Sequence, residues 1–114
     1  MKVTFDYLPE FEHRAKILAK RYPSFKADYQ VFLDELENNP FAGVSLGNHS
    51  YKHRMAISSK GKGKSGGARV ITYNLRQESA DEIVVTLMTI YDKGEISNVS
   101  DAYLRSLISQ ILNK

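Results

Sequence analysis

From Lys2 to Tyr7 the chain alternates, with Val3, Phe5 and Tyr7 on one side and Lys2, Thr4 and Asp6 on the other. A period of two predicts a short strand. Pro9 suits the first turn of a helix, and Glu10 and Glu12 favour its positive end. Phe11, Ala15, Leu18, Ala19 and Tyr22 then recur at helical spacing. Pro23 breaks that helix, and Ser24 is the candidate N-cap of a second. Its apolar stripe is Phe25, Tyr29, Phe32, Leu33 and Leu36, and Asn38-Asn39-Pro40 stops it. Two helices joined by so short a turn form an antiparallel hairpin.

Residues 41–50 read as a loop with Gly43 and Gly47. Tyr51 to Ser58 and Ala68 to Arg76 both alternate and read as strands. Glu82 to Tyr91 is apolar on both faces, the mark of a strand buried on both sides within its sheet. The first two of these strands are joined by residues 59–67, rich in glycine and lysine, whose composition cannot pack a core and predicts a mobile loop. Ser100 and Asp101 open a last helix carrying Leu104, Leu107, Ile108, Ile111 and Leu112. The order β-α-α-β-β-β-α predicts an α+β domain spanning 1–114, with a small, mostly antiparallel sheet and helices on one face.

At 114 residues without cysteine, the chain has neither a disulfide framework nor a thiolate metal site. Its histidines, His13, His49 and His53, are too scattered for a zinc site. No apolar run approaches the ~18 residues of a membrane span, and Met1 to Asp6 lacks the apolar core of a signal peptide. A cytosolic protein is expected.

Charge changes the picture. All thirteen acids lie at or before Glu37, or at or after Glu78, while residues 38–77 hold Lys52, Arg54, Lys60, Lys62, Lys64, Arg69 and Arg76. The middle third therefore carries +7 and the remainder −4. Such a patch attracts polyanions, of which phosphate backbones are the commonest. The stretch Gly61-Lys62-Gly63-Lys64-Ser65 imitates a P-loop, but Ser58 stands where the first glycine belongs, and a strand follows instead of a helix. Lys60, Lys62 and Lys64 suit backbone contacts along nucleic acid instead. His53 shares a strand face with Met55 and Ile57 and reads as a core residue.

Lys52 and Arg54 sit two apart on one strand and share a face. Arg69 lies on the next strand, and Tyr91 and Lys93 end the third. A sheet in that order gathers Lys52, Arg54, Arg69, Tyr91 and Lys93 into one basic site, if their faces agree.

The stretches Tyr51-Lys52-His53-Arg54, Gly66-Gly67-Ala68-Arg69-Val70-Ile71-Thr72-Tyr73 and Ile90-Tyr91-Asp92-Lys93, following a helical hairpin and Asn39-Pro40, resemble the RelE/ParE superfamily of bacterial type II toxin–antitoxin toxins. The RelE-like branch is the nearer. The resemblance implies a ribosome-dependent endoribonuclease that cuts messenger RNA in the ribosomal A site, with the substrate's own 2′-hydroxyl attacking the adjacent phosphate. It implies no metal and no cofactor, and a cognate antitoxin protein as partner. Lys52 and Arg54 match two basic positions of the family, and Arg69 matches the arginine that grips the scissile phosphate. Lys93 falls where an arginine often stabilises the transition state. The family's C-terminal tyrosine has no clear counterpart: Val99 is near its place, and Tyr91 or Tyr103 would have to substitute. An amine among other cations gives up its proton more readily, so Lys52 is the candidate base, and Lys93 or Tyr91 the candidate acid. Two alternatives from other classes remain: a ParE-like poison of DNA gyrase, and a decayed RNA-binding module.

Overall fold

A computed structural model describes residues 1–113. Five strands form one mixed sheet: β1 (Lys2–Tyr7), β2 (Val44–Gly47), β3 (Ser50–Met55), β4 (Ala68–Gln77) and β5 (Glu82–Asp92), in the spatial order β1-β5-β4-β3-β2. Three neighbouring pairs are antiparallel, and β1 runs parallel to β5. The helices are α1 (Pro9–Arg21), α2 (Phe25–Asn38) and α3 (Asp101–Leu112). No helix among the described residues is long and apolar enough to cross a membrane.

The expected elements are present, β3 ending at Met55 and not at Ser58, with two further corrections. The first concerns residues 41–50, read as loop. Val44–Gly47 is a strand that pairs with β3, Val44 opposite Lys52 and Ser45 opposite Tyr51. It is an edge strand of four residues, mostly exposed, too short to print an alternation on the sequence. The second concerns the helices, which occupy both faces of the sheet. Phe11 and Leu18 of α1 and Phe25, Phe32 and Leu36 of α2 pack on Val70, Val85, Leu87 and Ile90. On the opposite face, Leu107 and Ile108 of α3 pack on Ile71, Tyr73 and Met88. Apolar residues on both sides of β4 and β5 need a cover on each side. Burying each large aliphatic side chain contributes about 1.5–3 kcal/mol.

A bulge in β5 decides which face the site residues reach. Thr72 of β4 is opposite Leu87 while Ile71 is opposite Thr89, so Met88 is the extra residue. Strict alternation from Val85 and Leu87 would send Tyr91 toward the α1–α2 hairpin. The extra residue reverses that: Ile90 joins the hairpin side and Tyr91 the α3 side.

The loop between β3 and β4, expected from its composition to be mobile, is tied down at its start and closely packed at its end. Asp28 of α2 accepts from the backbone N–H of Ser58 (2.8 Å) and from its hydroxyl (2.6 Å), and the Ser24 hydroxyl accepts from Ser59 N–H (2.9 Å). Burial alone would raise the Asp28 pKa, but these hydrogen bonds, with that of Ser24, hold it below the usual carboxylate value. At the other end, a Cβ on Gly67 would stand 2.1 Å from the Met55 carbonyl oxygen and 3.1 Å from Ala56 Cα. Both are backbone atoms that cannot rotate away. Gly67→Ala is therefore expected to cost about 1–3 kcal/mol, read as a lower melting temperature. An unchanged melting temperature would refute the close approach.

Candidate active site

The β3–β4 register sets Arg54 opposite Arg69, and the β4–β5 register sets Arg69 opposite Tyr91. Directly opposed residues share a face, so Arg54, Arg69 and Tyr91 form one row across three strands, on the side that carries α3. Lys52, two residues before Arg54 and opposite Ile71, lies on the same face. Lys93 follows Tyr91 by two, and its N–H donates to the Gly67 carbonyl (3.0 Å), extending the pairing one residue past β5. The five residues named from the sequence thus converge on one end of one face.

Two arginines side by side on neighbouring strands repel. None of the ion pairs among the described residues involves Lys52, Arg54, Arg69 or Lys93. The charge of this row is left for something outside the chain. Their accessibility differs: Arg54 is exposed and Lys52 and Lys93 are half-buried, while Arg69 is only 7% exposed. The Arg69 guanidinium holds the loop above it, donating from Nη1 to the carbonyls of Lys64 (3.1 Å) and Ala68 (3.2 Å) and from Nη2 to that of Ser65 (3.1 Å). Of its five N–H donors, Nε–H and one Nη2–H remain without a partner among the described residues. Burial, and then the charge of Arg54, lower the Arg69 pKa.

Tyr91 is buried, and its hydroxyl has no hydrogen-bond partner. Burial raises its pKa against the opposing pull of Arg69. A covered phenol of raised pKa is a weak proton donor to a substrate outside, which leaves Lys93 as the better candidate acid. Tyr103 is engaged elsewhere, its hydroxyl donating to Glu10 and within 2.9 Å of the Thr89 hydroxyl. Its hydroxyl is therefore committed within the protein. That hydrogen bond from Tyr103 is the main cause of the lowered Glu10 pKa. Val99 is half-buried on the α3 side.

The three loop lysines separate. Lys60 turns inward to Asp92, which also accepts from the Tyr22 hydroxyl and from Gly94 N–H (2.9 Å) and lies 3.6 Å from Arg21. Lys64 pairs with Glu35 of α2 at 2.7 Å. Lys62 is exposed and enters no ion pair among the described residues. Of the lysines assigned to nucleic-acid contact, Lys62 is the one held ready for it. The sequence reading missed Asp92 as the anchor of Lys60; an acid closing a nine-residue apolar run was the available signal. It also missed Glu35, which nothing in the helical pattern sets apart from the other exposed acids of α2.

His53 faces the α1–α2 hairpin, away from this row. It is buried, its Nε2 lies 3.1 Å from the Thr72 hydroxyl, and its ring packs edge-on to Phe32. Burial lowers its pKa to about 4. The unfolded chain binds a proton near pH 6.5 that the folded chain refuses until about pH 4. Stability is therefore full above pH 6.5 and falls as the pH drops below it, by at most about 1.4 kcal/mol per pH unit for one group. Between pH 6.5 and 5 this slope should appear in the melting temperature and flatten in His53→Gln; an equal slope in the variant would count against it.

A cavity of about 340 Å³ opens on the hairpin side of the sheet, between the C-terminal half of α2 and the β2–β3 edge. Lys52, Arg54, Lys64 and Glu35 line it together with Phe32, Leu36 and Val44. The described residues contain no group of three or more His, Cys, Asp or Glu side chains placed to hold a metal. No family model matches this sequence.

Proposed function

We propose that the chain is a RelE-like toxin of a bacterial type II toxin–antitoxin module, a ribosome-dependent messenger-RNA endoribonuclease that inhibits translation. The observation that carries this reading is the shared face of Lys52, Arg54, Arg69 and Lys93 with no carboxylate paired to any of them. Lys52 takes the proton of the 2′-hydroxyl, whose oxygen bonds to the adjacent phosphorus. The bond from phosphorus to the 5′-oxygen breaks, and Lys93 returns a proton to that oxygen. The products are a 2′,3′-cyclic phosphate and a 5′-hydroxyl. Arg54 and Arg69 stabilise the charge on the five-coordinate phosphorus. Lys62 contacts ribosomal RNA without reading sequence. In this reading the partners are messenger and ribosomal RNA and a cognate antitoxin, the compartment is the cytosol, and no cofactor takes part.

The cover over Arg69 favours a second reading, a ParE-like poison of gyrase, which has no need of that guanidinium. Induced expression in a bacterial cell, with the 5′ ends of messenger RNAs mapped, separates the two. New ends inside translated frames are expected. Growth arrest without new ends would transfer the proposal to the gyrase-type poison, and neither arrest nor ends would leave an RNA-binding module.

A further inference from the structure

The cavity between α2 and the β2–β3 edge lies on the hairpin side of the sheet, opposite the cation row, and is not used by the phosphate chemistry above. Its walls combine an apolar surface from Phe32, Leu36 and Val44 with the His53 ring and one carboxylate, that of Glu35. Ligand sites commonly have this form, an apolar slot with a few convergent polar groups. The sheet adds a donor at the mouth. Asn74 N–H bonds to the His49 carbonyl (2.8 Å), one step beyond the pair Ser50–Tyr73. Hydrogen-bonded pairs alternate along an antiparallel ladder. Residues 49, 51, 53 and 55 therefore turn their backbone groups to β4, and 50, 52 and 54 turn theirs outward. The β2 pairing begins at Val44 opposite Lys52, so the backbone N–H of Arg54 faces an open edge beside the cavity.

The geometry points to a nucleotide subsite here, for a base that carries an exocyclic amino group. The assignment rests on the nuclease reading for its biological role and on the cavity for its chemistry. A phosphate at the mouth meets the Arg54 N–H, and the attached base enters the apolar slot. Glu35 accepts from the amino group, as carboxylates do from the amino edges of bases. Adenine, cytosine and guanine have such a group and uracil does not. Glu35 is engaged with Lys64 in the free protein, but both side chains are about half exposed, and an exposed ion pair costs little to open. Once released, Lys64 joins the Arg54 N–H at the phosphate.

The test titrates the ¹⁵N-labelled protein with AMP, CMP, GMP, UMP and ribose 5-phosphate, following backbone amides by NMR. The three amino-bearing nucleotides are expected to shift Leu36, Gly43, Val44 and Arg54 and to bind roughly fivefold or more tightly than UMP and ribose 5-phosphate. Glu35→Leu is expected to level the four nucleotides while all five compounds, ribose 5-phosphate included, gain equally from the freed Lys64, and the same spectra report that the variant is folded. Equal binding of all five compounds overturns the subsite, as does a preference that survives Glu35→Leu or shifts that avoid the cavity. The outcome is independent of cleavage. A preference in a protein that cuts no messenger RNA would keep the subsite and end the nuclease reading, while cutting without a preference would do the reverse.

Discussion

Replacing Arg69 with alanine is expected to lower messenger-RNA cleavage by about 10²- to 10³-fold, the usual loss when one preorganised donor to a developing negative charge is removed. Arg69 also clamps the carbonyls of Lys64, Ser65 and Ala68, so a second readout is needed to separate grip from clamp. Arg69→Lys keeps the charge but loses the planar fork. In both variants the chain should become easier to cut by trypsin at Lys62 and Lys64, because the loop has lost its clamp. Only Arg69→Ala removes the charge at the phosphate. Cleavage that falls in alanine and partly returns in lysine, with equal loop exposure in the two, assigns the charge to catalysis. Toxicity that survives Arg69→Ala would end the nuclease reading and favour a poison that ignores this row.

The second large effect is at Asp92. Its side chain is 4% exposed and that of Lys60 12%. Asp92→Asn leaves the Lys60 ammonium inside without its anion, and breaking one partner of a buried pair costs about 3–5 kcal/mol. For a domain of this size that corresponds to a fall in melting temperature of roughly 10 °C or more. Lys60→Met added to Asp92→Asn removes the stranded charge and should recover most of the loss. A double variant no better than the single one would show that the Tyr22 and Gly94 hydrogen bonds, and not the ion pair, carry the stability. Burial alone would raise the Asp92 pKa, but the hydrogen bonds of Lys60, Tyr22 and Gly94 outweigh it and hold the pKa below the usual carboxylate value. A depressed carboxylate stabilises the fold above its unfolded pKa, and that contribution is lost as the pH falls below about 4. Acid sensitivity in that range should therefore lessen in Asp92→Asn, apart from the His53 slope at higher pH.

Periodicity made the long elements legible. β1, α1, α2 and α3 lie where alternation and apolar stripes put them, because each buries one face against a single layer. It did not reach three features that depend on partners distant in sequence. Val44–Gly47 became a strand because β3 offered an edge to pair with. The α3 cover on the second face follows from the two-sided apolar character of β5, a signal present but read only as burial. The bulge at Met88 leaves no mark in composition, yet it decides whether Tyr91 meets Arg69 or the hairpin. For the site, residue types in order brought Lys52, Arg54, Arg69, Tyr91 and Lys93 to one place. Their sequence positions gave no access to the burial of Arg69 and Tyr91, or to the capture of Lys60 by Asp92, because these arise from how the loop folds over the strands.

The parallel pairing of β1 with β5 sets a timetable for making the protein. Each residue of β1 pairs with one eighty positions later. While the chain is being synthesised, the first strand and the hairpin of α1 and α2 wait without the strands they will cover. Closing so long a loop precedes any return from the contacts it allows, which slows folding. Until β5 leaves the ribosome, the apolar side of the hairpin stays open to other proteins. A partner made beforehand can therefore meet the chain before the cation row is assembled.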